Sequence, residues 1–166
     1  FEFLPTKTYI TSGVWTFMLT PLKLVTGSYA FYLPTQMVRS RDTRLVDATP
    51  EGSFTIPSTA RRIIRVGAYD ARYDSYADFS GRGLPYAYPD LVAPGVDIQV
   101  PTKEGSIREV SGTSFATPFV TGSAALLMEW GIVRGNDNYL YGEKVKAYLR
   151  RGAQPIRGER EYPNER

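Results

Sequence analysis

The sequence predicts an α/β fold, with a parallel sheet and a long helix in its second half and a region of β-strands before them. Two short, mostly apolar segments, Ile63–Ala68 and Val96–Val100, have the composition of strands that are buried on both faces, as in parallel sheets. The apolar run Phe119–Trp130 has helical character, because Ala, Leu and Met fill its second half and Gly131 closes it. The length of 166 residues is enough for one domain, or for one domain and part of another.

The region before residue 53 is predicted to form β-strands that end in a polar linker. Alternation between Ser12 and Leu33 places Trp15, Phe17 and Leu19 on one face, and a Thr-Gly-Ser turn separates two further strands. Three such strands cannot fill a core alone, and they leave unpaired edges. We therefore expect residues 1–52 to be the end of a β-domain with its linker. The aromatic stripe is expected to face the inside of a sandwich rather than to bind carbohydrate.

Residues 53–166 form the second predicted unit. Its strands are separated by a turn at Pro94-Gly95, and a loop over Pro101–Arg108 leads into a small-residue segment ahead of the apolar helix. A final helix is predicted over Gly142–Arg151, and Gly152 can end it. The basic residues near its end complement the negative end of the helix dipole.

The composition excludes several kinds of chemistry. The chain has no Cys, so it offers no disulfide, no thiolate nucleophile and no thiolate metal ligand. The net charge of +3 is too small to indicate nucleic-acid binding. Asp90 and Asp97 are considered as metal ligands and Gly81-Arg82-Gly83 as an RNA contact, but turn and loop roles explain these residues better. No metal site, cofactor or nucleic-acid partner is therefore predicted.

The apolar run is also the one stretch to consider as a membrane span. Between Phe115 and Trp130 it is shorter than the ~20 residues that a span needs, and it contains Pro118, Thr121, Ser123 and Glu129. We therefore expect no membrane span.

Ser114 is the candidate nucleophile. It lies in the segment Ser111–Pro118, where a loop of small residues passes into the apolar helix. The unpaired N–H groups of a first helical turn and the helix dipole favour negative charge at this point. A serine that attacks a carbonyl group needs such donors for the oxyanion that forms beside it. The alternative is that Ser114 only caps the helix, as serine often does.

The segment Gly112–Pro118, Gly-Thr-Ser-Phe-Ala-Thr-Pro, resembles the serine motif of the subtilisin family of peptidases, the subtilases. Three further segments resemble the last third of subtilase domains in the same order: Ser58–Ala60 with Val66–Ala68, Phe79–Gly83 and Pro89–Gly95. The resemblance implies that residues 53–166 are the C-terminal part of a subtilisin-like parallel-sheet domain. It also implies that Ser114 attacks the peptide carbonyl, with Gly112 and Thr113 in the substrate-binding and oxyanion loop.

A subtilase also needs an Asp, a His and an oxyanion Asn, which the family carries upstream of the serine. This chain contains no His, and a serine hydroxyl is a poor nucleophile without an adjacent base. We therefore expect a C-terminal fragment of a longer protease that is inactive alone. Its expected partners are a protein or peptide substrate and the missing N-terminal part of the same protease.

Within the family, the chain most resembles clostridial subtilases related to spore-germination proteases, which carry a jelly-roll β-domain inserted ahead of the serine segment. The alternation in Ser12–Leu33 resembles the end of such an insertion, and Trp130–Val133 and Leu140–Val145 also resemble that group. The resemblance implies a bacterial protein that is extracellular or associated with the spore.

The sequence leaves two alternatives open, one an enzyme of another family and the other a binding protein without activity. A sedolisin-type acid peptidase also has a Gly-Thr-Ser motif, but it uses Glu as its base and works at acidic pH. The spacing of Ala116 and Pro118 favours a subtilase over a sedolisin. The other alternative is a pseudoprotease, a subtilase-like protein that binds or senses without cleaving, and the intact Ser114 argues against it.

Overall fold

The computed structural model describes residues 8–23, 25–27, 29–34, 39–40, 42–49, 51–83 and 89–157. In this part of the chain the strands are β1 Val66–Asp70, β2 Ser75–Tyr76, β3 Leu91–Pro94, β4 Ile98–Pro101 and β5 Ile107–Val110. The helices are α1 Thr113–Met128 and α2 Gly142–Gly152, and a π-helical turn, Glu129–Val133, extends α1. All of these elements lie in the predicted α/β region.

A three-stranded sheet with the order β2-β1-β3 forms the base of the fold. β1 and β3 run parallel, while the short β2 pairs antiparallel with the end of β1. The predicted parallel strand is therefore confirmed, although it begins at Val66 rather than at Ile63. Leu91, Val92 and Ala93 of β3 are all buried, which is typical of a strand that is covered on both faces.

The prediction of a buried parallel strand over Val96–Val100 is wrong. This segment contributes β4, which pairs antiparallel with β5 in a separate hairpin. The predicted loop over Pro101–Arg108 is also too long, because only the residues between Pro101 and Ile107 connect the two strands. Half-buried and exposed side chains alternate in β4, as in a strand with one face open to solvent.

α1 packs on the sheet through a narrow face. Ala116 and Val120, about one helical turn apart, are its buried residues, and they join Ala68, Leu91 and Ala93 in the main core cluster. Several large apolar side chains of α1 and of the π-helical turn are at least 40% exposed: Phe119, Leu126, Met128, Trp130, Ile132 and Val133.

The continuous helical segment is longer than the sequence predicts. It runs from Thr113 to Val133, 21 residues, and by length and composition it is the one candidate for a membrane-crossing helix in the described ranges. The central helix of a soluble protein meets the same criteria, and one face of α1 contacts the β1–β3 sheet through Ala116 and Val120.

The predicted final helix is confirmed as α2. Lys146 attaches it to the start of the sheet, since its ammonium group lies 2.7 Å from a carboxylate oxygen of Asp90 and donates to the Ile63 carbonyl at 3.0 Å. The other Asp90 oxygen accepts a hydrogen bond from the Arg65 amide at 2.7 Å. Asp90 is therefore engaged in an ion pair at the edge of the sheet.

The strands predicted between Ser12 and Leu33 are not found in the described residues of that region. Trp15, Phe17 and Leu19 are more than half exposed, with 55%, 55% and 53% of their surface accessible, and Phe17 stacks on Phe31 with ring centroids 6.5 Å apart. A strand needs a neighbouring sheet to satisfy its backbone, and the described residues offer none. The jelly-roll insertion and the boundary at residue 52 stay predictions. Parts of this predicted unit lie outside the described residues: 1–7, 24, 28, 35–38, 41 and 50.

Candidate active site

Ser114 is the second residue of α1, and its side chain is exposed. The helix N-cap is Gly112, so the serine does not occupy the capping position, and no side chain among the described residues caps this end of the helix. Within the described part of the chain, no hydrogen bond engages the Ser114 hydroxyl. The interpretation of Ser114 as a helix cap is therefore wrong, and its hydroxyl is accessible from solvent.

The first turn of α1 presents unpaired N–H groups beside this hydroxyl. The Phe115 amide donates to the Gly112 carbonyl at 3.0 Å, whereas the amides of Thr113 and Ser114 find no acceptor among the described residues. The turn contains no acidic side chain that would offset the positive end of the helix dipole. Both features favour an anion next to the Ser114 hydroxyl.

Pro118 removes one hydrogen bond from the same turn. It lies inside α1, four residues after Ser114, and it has no N–H to donate to the Ser114 carbonyl. The hydroxyl of Thr117 donates instead to the Thr113 carbonyl at 3.0 Å. The backbone around the serine is thus held by fewer bonds than the middle of a regular helix.

Gly112 sets the entry of the chain into α1. Its φ of +153° lies in a region that residues with a Cβ rarely adopt. Its amide donates a hydrogen bond to the Gly95 carbonyl at 2.8 Å, which fixes the loop against the end of β3. Gly112 and the half-buried Thr113 thus lie directly before Ser114, where the sequence places the substrate-binding and oxyanion loop.

Gly95 allows three parts of the fold to approach one another. A Cβ atom at this position would lie 2.6 Å from the Ala68 Cβ, 3.3 Å from the Ala116 Cβ and 3.1 Å from the Gly112 carbonyl oxygen. The sequence identifies Gly95 only as a turn residue. The close approach brings together residues that are far apart in the chain, so no local pattern could have revealed it.

A network of charged groups surrounds Ser111, the residue before Gly112. The Asp97 amide donates to the Ser111 hydroxyl at 2.9 Å, and this hydroxyl donates to Oδ1 of Asp97 at 3.2 Å. Arg72 binds Oδ2 of Asp97 at 2.7 Å and Oδ2 of Asp70 at 2.9 Å. Sequence reasoning missed this network, because Arg72 and Asp97 are 25 positions apart in the chain and Asp97 and Ser111 are 14 apart.

The pairing of Asp70 with Arg72 shifts the pKa values of these two groups. Hydrogen bonds from the Arg72 side chain hold the pKa of Asp70 below its usual range, and the same pairing raises the pKa of Arg72. Both groups are therefore charged at neutral pH. The ion pair is fixed at the end of β1 and faces the connection between β3 and β4.

The weaker sequence hypotheses concern Asp90, Asp97 and Gly81-Arg82-Gly83. Asp90 and Asp97 are ion-paired, and the described residues contain no group of three potential metal-ligating side chains. Arg82 exchanges backbone contacts with Ser53, whose amide donates to the Arg82 carbonyl at 2.9 Å. Its guanidinium lies over the Tyr76 ring, 5.2 Å from the centroid. These contacts fit the loop role that the sequence favours.

A parallel α/β sheet, with an exposed serine in the first turn of the helix that packs on it, occurs in several classes of serine hydrolase. The profile described as the subtilase family matches residues 42–164. This chain belongs to the subtilase family. The family identified from the serine motif is therefore confirmed.

Individual relatives match only part of their own length. The solved structure of the Clostridium perfringens CspB protease is similar with a TM-score of 0.67 and 44% identity, over 74% of this chain and 27% of that one. Proteinase R of Parengyodontium album is 47% identical over 75 residues, which are 45% of this chain and 18% of that protein. The cell wall-associated protease of Bacillus subtilis strain 168 is 39% identical over 79 residues, 46% of this chain and 8% of that protein.

Proposed function

We propose that this chain carries the nucleophile of a subtilisin-like serine endopeptidase. The exposed Ser114 hydroxyl beside the unpaired amides of the first turn of α1 is the observation that carries the proposal. In this mechanism Ser114 Oγ attacks the peptide carbonyl carbon and its proton passes to a base. The base returns the proton to the leaving amine as the C–N bond breaks, and water then hydrolyses the ester. The Ser114 amide donates one hydrogen bond to the oxyanion.

In this proposal the base and its orienting carboxylate belong to another part of the same protease. The chain contains no His, and the members of such a triad act as a unit, so that loss of the serine or the histidine lowers kcat by about 10⁶-fold. The chain also spans only 27% of the similar CspB protease. The remainder would supply the Asp, the His and a second oxyanion donor from Asn, while Gly112 and Thr113 line the site beside Ser114.

The exposed surface supports the same view. Much of the apolar surface of α1 is exposed, and an apolar groove of about 700 Å³ lies between β3, α1 and α2. A further part of a catalytic domain that covered α1 would bury this surface.

A catalytically inactive, subtilase-like module that binds or senses peptides is the alternative function. It would be favoured over the peptidase if the remainder of the protein lacked the His or the Asp. A sedolisin-type acid peptidase has no support, because the matching family profile and the named relatives are subtilases or proteases of that kind. We also propose that the protein is bacterial and extracellular, since one relative is a cell wall-associated protease. Association with the spore depends on the clostridial similarity alone.

A fluorophosphonate probe tests the proposal. We expect no labelling of the 166-residue chain and strong labelling of the longer protein that contains it, mapped to Ser114 by mass spectrometry. Ser114→Ala removes the label, whereas Ser123→Ala retains it. Ser123 is an exposed serine of the same helix, and its hydroxyl donates to the Phe119 carbonyl at 2.9 Å. Strong labelling of the short chain would overturn the proposed division of the triad. A longer protein with an intact His and Asp but no label would favour the inactive module.

A further inference from the structure

We infer that Asp97 is a positioning residue that fixes the loop ahead of Ser114, an inference whose catalytic consequence rests on the proposed function. Asp97 does not contact Ser114. It contacts Ser111 through both its amide and its carboxylate, at 2.9 and 3.2 Å. Ser111 is followed by Gly112, the N-cap of the helix that carries the nucleophile.

The connection between β3 and β4 holds this loop at two neighbouring points. The Gly95 carbonyl accepts a hydrogen bond from the Gly112 amide at 2.8 Å. Two residues after Gly95, Asp97 is hydrogen-bonded to the Ser111 side chain. The first contact involves backbone atoms only, so it fixes distance but leaves the loop free to pivot about one bond. The second contact removes that freedom, and together they set the angle at which the chain enters α1.

The backbone of Asp97 is specialised for this contact. Its φ of +52° is left-handed, and among the described residues only Asp74 shares this feature without being glycine. A residue with a side chain adopts this conformation at a cost and keeps it only where its surroundings enforce it. In this conformation the amide and Oδ1 of Asp97 both reach the Ser111 hydroxyl.

Arg72 connects the Asp97–Ser111 contact to the sheet. It binds Oδ2 of Asp97, the oxygen that Ser111 does not use, and it also binds Asp70 at the end of β1. Arg72 is 57% exposed and the Asp97 side chain 39% exposed, and exposed ion pairs contribute little to global stability. What they contribute here is orientation, since Arg72 is held by a carboxylate at the end of a buried strand.

The expected effect is on kcat rather than on KM. Asp97→Ala removes the contacts that the Asp97 carboxylate makes with Ser111 and Arg72, and it leaves the hydrogen bond from the backbone amide to Ser111. We expect Ser114 to lose its alignment with the base, and misalignment of about 1 Å costs up to about 100-fold in rate. Asp97→Asn keeps an acceptor for Ser111 but loses the charge that binds Arg72, and we expect an intermediate loss. Since Asp97 and Ser111 act through shared contacts, the double variant with Ser111→Ala is expected to lose less than the sum of the two single losses.

Amide hydrogen exchange tests the same inference without catalysis. In the longest natural form of the protein, we expect Asp97→Ala to speed exchange of the Gly112 amide while β1, β3 and α2 keep their protection. Asp78→Ala is the matched control, since Asp78 is an exposed carboxylate without an ion pair in the described part of the chain. Unchanged exchange at Gly112 overturns the inference, as does a loss of kcat that merely follows a lower Tm. A lack of probe labelling at Ser114 in the unmodified protein would instead contradict the proposed function and leave the exchange result standing.

Discussion

The Gly112 amide donates a 2.8 Å hydrogen bond to the Gly95 carbonyl, which joins the loop before the candidate nucleophile to the end of β3. Both partners are glycines, and each is required for a different reason. Gly112 has a φ of +153°, while Gly95 lies where a Cβ atom would meet the Ala68 Cβ at 2.6 Å. The position of Ser114 thus depends on two residues that carry no side chain.

Gly95→Ala is expected to destabilise the fold by about 1–3 kcal/mol, because overpacking of a close contact has costs of this size. The Ala68 Cβ cannot rotate away, so the backbone must move, and the rate of fluorophosphonate labelling is expected to fall as well. Thermal and urea unfolding of the protease that contains this chain measure the first effect. Gly142→Ala is the control, since its Cβ would meet no atom within 4 Å. Equal effects of the two substitutions would show that the close approach at Gly95 is unimportant.

Lys146→Met is expected to lower the free energy of unfolding on the order of 3 kcal/mol, because it leaves the Asp90 carboxylate without its partner. The side chains of Lys146 and Asp90 are only 19% and 9% exposed. Lys144→Met in the same helix is the comparison, since Lys144 and its partner Asp137 are 37% and 12% exposed, and we expect a smaller loss. Urea unfolding of both variants measures the difference. A larger loss for Lys144→Met would contradict the role of Lys146 as the attachment of α2 to the sheet.

Asp137 and Lys144 predict a dependence of stability on pH. The hydrogen bond from Lys144 holds the pKa of Asp137 below its ordinary value, and the same bond raises the pKa of Lys144. The contribution of Asp137 is therefore complete above about pH 4, its unfolded pKa, and is lost as the pH falls through the lower folded pKa. The contribution of Lys144 is complete below about pH 10 and is lost as the pH rises through the higher folded pKa.

The difference in unfolding free energy between the unmodified protein and Asp137→Asn measures this effect. We expect it to be constant between about pH 5 and 9 and to shrink towards both extremes. Asp78→Asn, at an exposed position, is expected to show no such profile. A difference that does not shrink at acidic pH would mean that the pair does not form in solution.

The 166-residue chain alone is expected to behave as a loosely packed state. Its exposed helix and apolar groove lack the partner surface that a complete core provides, so it is expected to bind a hydrophobic dye and to lose its near-ultraviolet circular dichroism. The longer protein that we propose is expected to show neither property. A sharp, cooperative melt of the monomeric short chain would count against the proposed missing part.

The elements that the sequence predicted well are those specified by a contiguous pattern. The helix that carries Ser114 follows from a long, mostly apolar run, and the parallel strand near Val66 follows from a short apolar segment between turn residues. The sequence was enough to recognise β4 as a strand, but it was not enough to show that β4 pairs with β5 rather than with the parallel sheet. Whether its Val and Ile residues lie under a second layer or at an open face depends on neighbours that are distant in sequence.

The candidate site shows the same limit. Ser114, Gly112 and Thr113 belong to one short motif and could be predicted together. The Asp97–Ser111 contact joins residues 14 positions apart and depends on the left-handed backbone at Asp97, which the residue type permits but does not require. The strands predicted near Phe17 failed for a related reason, since alternation alone does not supply a sheet for a strand to join.

The π-helical turn Glu129–Val133 has a consequence for how this family can vary. Such a turn holds one more residue than an α-helical turn, and the Arg134 amide reaches the carbonyl of Glu129, five residues earlier, at 3.0 Å. A deletion of one residue here would restore regular winding and alter only the path that leads on to α2. We therefore expect a one-residue insertion or deletion at this point to leave the register of Ser114 on the sheet unchanged.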